Sequence, residues 1–587
     1  MGRQAVSGAD PASPDRGNRT AVAEPRGQGA RGAGPLHTVA GGDCHPFGWR
    51  THPPGGSGRM PGVSSFRTTL LRTSRGAPAG LLAGFTALAV AELAAALVRP
   101  AAGPVTVVGG AVIDRTPAAL KDFAIRTFGE NDKIVLQLGI LLVLSLFAVS
   151  LGVVSLRYRR AGAAGVLVFG VVGVAAALSR PDSEGAGDAL PSLLGALAGA
   201  AVLYVLAGKA APVGSASGDE GTGGGWSRRG FLTAATLTAA AAAGAGVAGR
   251  ALSGRRGQGA VASRNGLALP APASPAPAVP AGAQLEVPQI SAFTTPGRDF
   301  YRVDTALVVP KVDAGTWRLR ILGKGVTRPR SYTLDQLLAR PLIERDITLT
   351  CVSNEVGGPY VGTARWLGVP LAGLLAECGV RPPSKGGTAD QLVARSVDGM
   401  TLGSPVEDVM DGRDAMLAVG MNGGPLPFEH GFPVRMVVPG LYGYVSACKW
   451  IAEIELTTFD AYDPYWVKRK WARRAPIKTQ SRIDTPKPFA RPAAGTVMVA
   501  GVAWAQRRGI TRVELRIDEG PWQDADLAAQ DTADTWRQWS YRWQAAPGGH
   551  TITVRATDGT GAVQTEQRAR TVPDGASGRH SVFVTVS

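Results

Sequence analysis

Apolar and polar positions follow three rhythms in three successive stretches of this chain. Five unbroken apolar runs come first, near 78–98, 134–156, 161–179, 189–207 and 230–249. Each approaches the roughly 20 residues that an α-helix needs to cross a bilayer. IVLQLGILLVLSLFAVSLGVVSL is the purest, and alanine-rich GFLTAATLTAAAAAGAGVAG, the fifth, is the least apolar. From about residue 286 the spacing becomes mixed. WRLRILG (317–323) alternates like a strand, and SYTLDQLLAR (331–340) has helical spacing with a Thr-x-x-Gln capping pattern. RWLGVPLAGLLAECGV (365–380) reads as a turn followed by a short amphipathic helix. FPVRMVVPG (432–440) and KWIAEIELTTF (449–459) read as strands. After about 487, TVMVAGVAWA, ITRVELRID, WRQWSYRWQ, HTITVRATD and HSVFVTVS alternate strictly between turn residues. That pattern predicts an antiparallel β-sandwich of about 100 residues. The expected fold class is multi-domain: N-terminal transmembrane α-helices (67–250), a mixed α+β domain (286–486), then an all-β immunoglobulin-like sandwich (487–587).

Two stretches follow no rhythm. Residues 1–66, rich in Gly, Pro, Ala and Arg, are expected to be disordered, with Met60 as a candidate true start. Cys44, His45 and His52 then belong to a tail rather than to a metal site. Residues 251–285, which include ASPAPAVPAGA, are expected to form a semi-extended Pro/Ala linker.

Charge modifies this picture in two ways. A net charge of +17 invites a nucleic-acid reading, but the basic residues are scattered through the tail and beside the apolar runs. No zinc-finger, helix-turn-helix or RNA-binding signature is present, so no nucleic-acid partner is expected. Arg67, Arg72 and Arg75 precede the first run, RYRR (157–160) follows the second, and acidic RPDSEGAGDALP (180–191) follows the third. This asymmetry predicts a multi-pass membrane protein whose C-terminal domains are extracytoplasmic. Arg250, Arg255 and Arg256 run against that orientation. SRRGFL (227–232) resembles a twin-arginine export signal, or else is an ordinary basic flank, and AVA (260–262) is a candidate cleavage site.

Four cysteines, Cys44, Cys351, Cys378 and Cys448, are too dispersed for a disulfide framework or a paired zinc site. Cys351 stands in DITLTCVSNEVGG (346–358), where an apolar β-rich run meets a glycine-rich turn. By itself it reads as core filler, half of a disulfide, or a ligand.

FYRVDTALVVPKVDAGTWRLRILG, TCVSNEVGG with GTARWLGVPL, MNGGPLPFEHGFPVRMVVPGLYGYVSACKW, and YWVKRKWARRAPIKTQSRIDTP occur in that order. Together they resemble the sulfite oxidase family of molybdopterin enzymes, over roughly residues 290–587. The sandwich resembles that family's dimerisation domain, which implies a homodimer. The resemblance implies a Mo-molybdopterin cofactor with Cys351 as the metal ligand; a soft thiolate suits a metal already held by dithiolene sulfurs. It assigns cofactor binding to Tyr301, Arg302, Asp304, His430, Arg435, Ala447 and Lys449, with Ser396 and Asp398 from an intervening loop. Arg435 and Lys449 also suit an anionic phosphate tail on charge alone. Otherwise they read as a strand-edge arginine and a strand-start lysine, and His430 as an ordinary histidine. Cys378 is expected in the core and Cys448 beside the pocket, with a Cys378–Cys448 disulfide left open.

The chain departs from sulfite-oxidising relatives at Val356, in the shorter loop EVGGPYVG, and in a run between Gly443 and Lys449 that is one residue longer. Arg302, Arg365, Lys468 and Arg469 are candidate catalytic anion holders, although KRKWARR (468–474) reads equally as a solvated basic face. The expected reaction is oxygen-atom transfer with sulfite, or alternatively reduction of a sulfoxide. A non-catalytic membrane scaffold is the rival from another class. None of the six histidines, His37, His45, His52, His430, His550 and His580, falls in an apolar run, and C-x-x-C-H is absent. No haem is therefore expected, and electrons pass to a separate carrier protein.

Overall fold

The computed structural model describes residues 61–117, 120, 127–128, 132–180, 183, 185–210 and 228–587, without the side chains of 61–75, 132–133, 210 and 228–229. The N-terminal tail through Met60, its Cys44–His45–His52 group, and Ser227 with the two arginine side chains of the twin-arginine stretch lie outside this description. Everything below concerns the compact unit Val63–Ser587.

Among the described residues, long helices come first: α1 (Pro61–Leu97), α2 (Pro104–Arg115), α3 (Asp132–Ser155), α4 (Arg159–Ser179), α5 (Leu190–Ala210) and α6 (Arg228–Asn265). Among the described residues, five segments are long and apolar enough to cross a membrane: Gly76–Leu97, Ile134–Ser155, Arg159–Ser179, Ala186–Lys209 and Gly230–Asn265. They coincide with the five apolar runs. Small residues let the helices touch: a Cβ at Gly80 would run into Ala148 O, so α1 and α3 cross backbone to backbone. Helix α2 had no counterpart in the sequence reading. It has 12 residues, too few to span, and starts with proline at its first turn.

Helix α6 corrects the linker boundary. ALSGRRGQGAVASRN (251–265) contains no proline, so the helix runs on to Asn265. The candidate cleavage site lies inside it, and Ala260 is buried. Arg264 docks the helix end, with Nε donating to Leu426 O at 2.7 Å and Nη2 to Pro425 O at 2.9 Å. The rest of the linker lies against the domain: Ser274 exchanges backbone hydrogen bonds with Leu342 and Glu344.

The central region has two five-stranded sheets. One is ordered β2 (Arg330–Thr333), β1 (Arg318–Gly323), β10 (Ile451–Thr457), β5 (Gln391–Ser396), β6 (Thr401–Pro405), with only β1 and β10 parallel. The other is ordered β3 (Ile343–Thr350), β4 (Val361–Pro370), β7 (Met416–Met421), β8 (Gly424–Pro425), with β9 (Arg435–Val437) also on β7. The turn expected at 365–370 is the second half of β4. That strand is buried on both faces, so its sequence does not alternate. FPVRMVVPG shrinks to three strand residues between two prolines. The capping box exists: Gln336 N donates to Thr333 Oγ1 at 3.1 Å and Thr333 N to Gln336 Oε1 at 2.9 Å.

The C-terminal region has two four-stranded sheets, β11 (Gln480–Thr485), β12 (Gly495–Trp504), β16 (Arg537–Ala545), β15 (Asp526–Leu527), and β14 (Gln523–Asp524), β13 (Ile510–Ile517), β17 (Gly548–Asp558), β18 (His580–Val586). Val499, Trp539, Val513, Ile552 and Val582 share one core from both sheets. The region starts at Gln480 rather than 487, because β11 buries polar Ser481, Arg482 and Asp484 and so lacks an apolar stripe. Those polar groups are used. Arg482 Nη1 donates to Gly358 O at 2.8 Å, Gln506 Nε2 to Thr348 O at 3.0 Å, and Trp536 N to Thr348 Oγ1 at 2.7 Å. The C-terminal sheets thereby brace β3 and the loop that follows it.

Candidate cofactor site

Strand β3 ends at Thr350, and the next residue is Cys351, at the wall of a cavity of about 420 Å³. The loop beyond it is closed on itself. Cys351 N donates to Tyr360 O at 2.9 Å, Asn354 N to Cys351 O at 3.0 Å, and Tyr360 N to the buried Asn354 Oδ1 at 2.8 Å. The polar turn after the cysteine therefore fixes the sulfur. Burial pushes the Cys351 thiol up, while hydrogen bonds from Ser353 and the charge of Lys449 pull it back. Cys378 is fully buried at the end of a short helix, and all three described cysteines are free thiols. The open Cys378–Cys448 disulfide reading is therefore set aside.

Arg435 on β9 is only 4% exposed. Its guanidinium lies 4.9 Å over the Trp366 ring and donates to His430 O at 3.2 Å and Ala447 O at 3.5 Å. Its Nε has no hydrogen-bond partner, and no carboxylate among the described residues pairs with it. Burial lowers its pKa to about 10. Lys449 Nζ donates to Asp304 Oδ2 at 2.7 Å and to Glu429 O at 3.2 Å, and burial lowers its pKa to about 8. Asp304 also accepts from Arg302 Nε at 2.9 Å. His430 Nε2 donates to Gly297 O at 2.9 Å, and burial takes its pKa down to about 4, so the ring is neutral at pH 7. Ser396 Oγ donates to Asp398 Oδ1 at 2.6 Å. Tyr301 stacks on Phe300 at 5.2 Å, and burial pushes its phenol far up.

Gly431 holds the two cations in register. Its φ is +109°, and a Cβ there would sit 3.0 Å from both Arg435 Cβ and Lys449 Cα. Gly431→Ala is expected to lower stability by about 2 kcal/mol, read from a urea melt at constant slope. An unchanged midpoint would refute that geometry.

Nine of the sequence candidates line this cavity: Tyr301, Asp304, Cys351, Ser396, Asp398, His430, Arg435, Ala447 and Lys449. Arg302 stands just behind, through Asp304. Arg365 is a correction. It lies opposite Asp346 in the β3–β4 register, bonds that buried carboxylate at 2.6 Å and Pro277 O at 2.8 Å, and does not line the cavity. Beside this pair, Asp531 Oδ2 is buried without a partner, and burial with the Asp346 charge raises its pKa to about 6. A carboxyl raised on folding destabilises progressively as pH climbs from about 4 through 6. Asp531→Asn should therefore gain about 1 kcal/mol at pH 8, discounted for partial exposure, and nothing at pH 4. Melts at both pH values check it.

Arg469 is also outside the cavity, bonded to Asp114. Residues that the sequence reading passed over include Tyr444, Trp466 and Trp471, and from the helical region Val112 and Ile113. Aromatics flanking a basic run in YWVKRKW were a usable signal for the first group; nothing signalled the second.

Residues 306–466 match the family model described as oxidoreductase molybdopterin binding domain. Mitochondrial sulfite oxidase of Mus musculus is 30% identical over 293 residues, which is 43% of this chain and 53% of that protein. The chain thus carries a molybdopterin-binding oxidoreductase domain similar to that of sulfite oxidases. It spans about half the length of the curated sulfite oxidases it matches. An NADH nitrate reductase of Solanum lycopersicum is 34% identical over 182 residues, 27% of this chain and 20% of that protein. The sulfane dehydrogenase SoxCD structure from Paracoccus pantotrophus shows 25% identity and a TM-score of 0.44, covering 51% of this chain and 86% of that one.

The cavity suits the cofactor that this family's domain binds. A buried guanidinium with an orphaned Nε and no carboxylate calls for an anionic, hydrogen-bonding guest. No cluster of three His, Cys, Asp or Glu groups fit for a metal occurs among the described residues. A metal beside Cys351 would thus draw most of its ligands from an organic chelator.

Proposed function

We propose that this chain is a molybdenum oxidoreductase that transfers one oxygen atom to or from its substrate. The observation that carries this reading is the meeting of a free, buried thiol at Cys351 with an unpaired, buried Arg435 in one cavity. When bound, the cofactor supplies a metal that exchanges an oxygen atom and two electrons. Cys351 would hold that metal. Arg435 and Lys449 would set fixed positive charge against the phosphate tail. Tyr301, Ser396 and neutral His430 would offer hydrogen-bonding groups to the pterin edges, and Trp366 backs the Arg435 guanidinium at 4.9 Å. The named relatives act on sulfite and nitrate. The chemistry they share is oxygen-atom transfer rather than one substrate.

The finer reading is a membrane-tethered enzyme with this domain extracytoplasmic and a separate electron carrier. One contact supports the five-span topology. The segment after the first span meets the domain after the fifth through Asp114 and Tyr465, which requires both on one side. An odd number of crossings from first to last satisfies this. Export of a folded, cofactor-loaded domain behind SRRGFL fits the same scheme. An exposed ring pair on the C-terminal sheets, Phe489 (79% exposed) and Phe583 (44%), supports an immunoglobulin-like sandwich that docks a second copy.

The test is elemental. The full chain, purified in detergent, should hold about one molybdenum and one pterin per chain. A folded chain with neither is a scaffold, and the reading is then wrong.

A further inference from the structure

A second cavity, of about 500 Å³, lies inside the helical region among α1, α3, α4 and α5, with the start of α2 in its wall. Along α1 the wall runs from Gly80 to Ala91, about 16 Å of helix. It adjoins the cavity around Cys351. Helix α2 gives Val105 and Val108 to the first space and Val112 and Ile113 to the second. Helix α3 gives Ile140 to the first and Leu136 to the second. Val108 and Val112, like Ile140 and Leu136, are one helical turn apart, about 6 Å. A guest among the helices would therefore lie one turn of α2 and of α3 away from the cofactor cavity.

The wall is hydrocarbon except at Ser145 and Ser192. Ser145 Oγ donates to Leu141 O at 2.7 Å, the ordinary habit of a serine inside a helix. Ser192 is 4% exposed, and among the described residues its Oγ has no hydrogen-bond partner. That oxygen faces Gly173 of α4, where a Cβ would lie 2.7 Å from it. One turn further along α4, Ala176 and Ala177 pack with Val107 and Val108 of α2. The unpartnered hydroxyl thus stands at the end of the cavity nearest the shared wall. Phe147 and Phe169, 4.4 Å apart, add aromatic surface. A plain acyl chain would fill the volume and leave the hydroxyl unused. A long apolar molecule with a ring and an acceptor oxygen would use both, and a few polar groups in an apolar site are what orient a ligand.

We infer that this cavity binds a lipid-soluble quinone, its tail along α1 and a ring carbonyl accepting from Ser192, and that the quinone is the two-electron partner of the oxygen-transfer site. The inference rests on the oxygen-transfer reading above and names the electron carrier for it. Atoms and electrons balance with water. A substrate that gains the oxygen atom of one water leaves two electrons and two protons. One quinone takes up all four, and its two C=O groups become C–OH. In the deoxygenating direction the quinol gives them back and water leaves. No histidine lies in the five spans, so no bis-histidine haem competes for this role.

The experiment uses the full chain in detergent, with binding measured by calorimetry and molybdenum content read separately on the same preparation. The probes are decylubiquinone and decylbenzene, which shares the ten-carbon arm but has no ring oxygens. The natural protein should bind decylubiquinone at least fivefold more tightly. Ser192→Ala should remove that preference and leave decylbenzene within twofold. Leu144→Trp, which fills the cavity from α3, should weaken both at least tenfold. Leu142→Trp, on the same helix but outside the cavity and 61% exposed, should change neither more than twofold. In molybdenum-loaded protein, decylubiquinone or its quinol should change the molybdenum electron paramagnetic resonance signal, and Leu144→Trp should abolish that response. Equal binding of the two probes makes the cavity a lipid pocket and overturns the inference. Quinone binding with an unaltered molybdenum signal overturns the partner role. If Leu144→Trp fails to fold, the probe comparison and Ser192→Ala decide. A chain without molybdenum sinks the oxygen-transfer reading and the partner role with it, while the binding ratios still decide whether the quinone site exists.

Discussion

Cys351→Ser is expected to leave the chain folded and to remove at least about 100-fold of any molybdenum-dependent activity. Changing a group that merely orients a metal ligand typically costs 10–100-fold, so changing the ligand should meet or exceed the top of that range. The fold should survive because the loop is held by backbone and Asn354 hydrogen bonds, not by the sulfur. Serine also keeps the volume nearly constant at a position 8% exposed. Two measurements separate the possibilities: metal content by mass spectrometry and the melting midpoint. A variant with full molybdenum and full turnover would remove Cys351 from the metal. A variant that simply unfolds would make it structural.

Arg435→Met is expected to act with opposite signs on the two forms of the protein. In the cofactor-free chain it should raise stability by about 2 kcal/mol, since it takes away a buried charge that no carboxylate compensates. The lowering of that group's pKa to about 10 is the same cost seen from the proton's side. In the loaded chain it should reduce retained pterin at least about tenfold, because a charge-assisted bond to a phosphate is lost. Destabilisation of the cofactor-free form together with full pterin retention would show that the guanidinium serves Trp366 and the carbonyls rather than a guest.

The site is therefore a place where the empty fold is less stable than it could be. That explains which of its residues were legible beforehand. Cys351, His430, Arg435 and Lys449 sit in long continuous motifs, and each is at a strand end or in a tight turn that its immediate neighbours build. Gly431 is needed by local backbone geometry. Arg365 stood in an equally persuasive motif and was misjudged, because its partner Asp346 lies on the neighbouring strand and only the β3–β4 register brings them together. Strand β11 was missed for a related reason: its polar side chains are buried against another domain.

Local chemistry alone determined much about this protein. Five apolar runs have to be helices of membrane length, since backbone polar groups in an apolar environment must bond within their own segment. Strict alternation after the molybdopterin-binding region has to form sheets with one buried face. Cys351, Arg435 and Lys449 are picked out by the family resemblance of the motifs they stand in, with charge alone adding support for the last two. The tertiary structure decided what stands at the mouth of the cavity. Asp114 is 351 residues from Tyr465 and 355 from Arg469 along the chain. No periodicity or motif near either end encodes that meeting. It arises when the helical region packs on the sheet domain, and the same packing brings Val112 and Ile113 into the cavity wall.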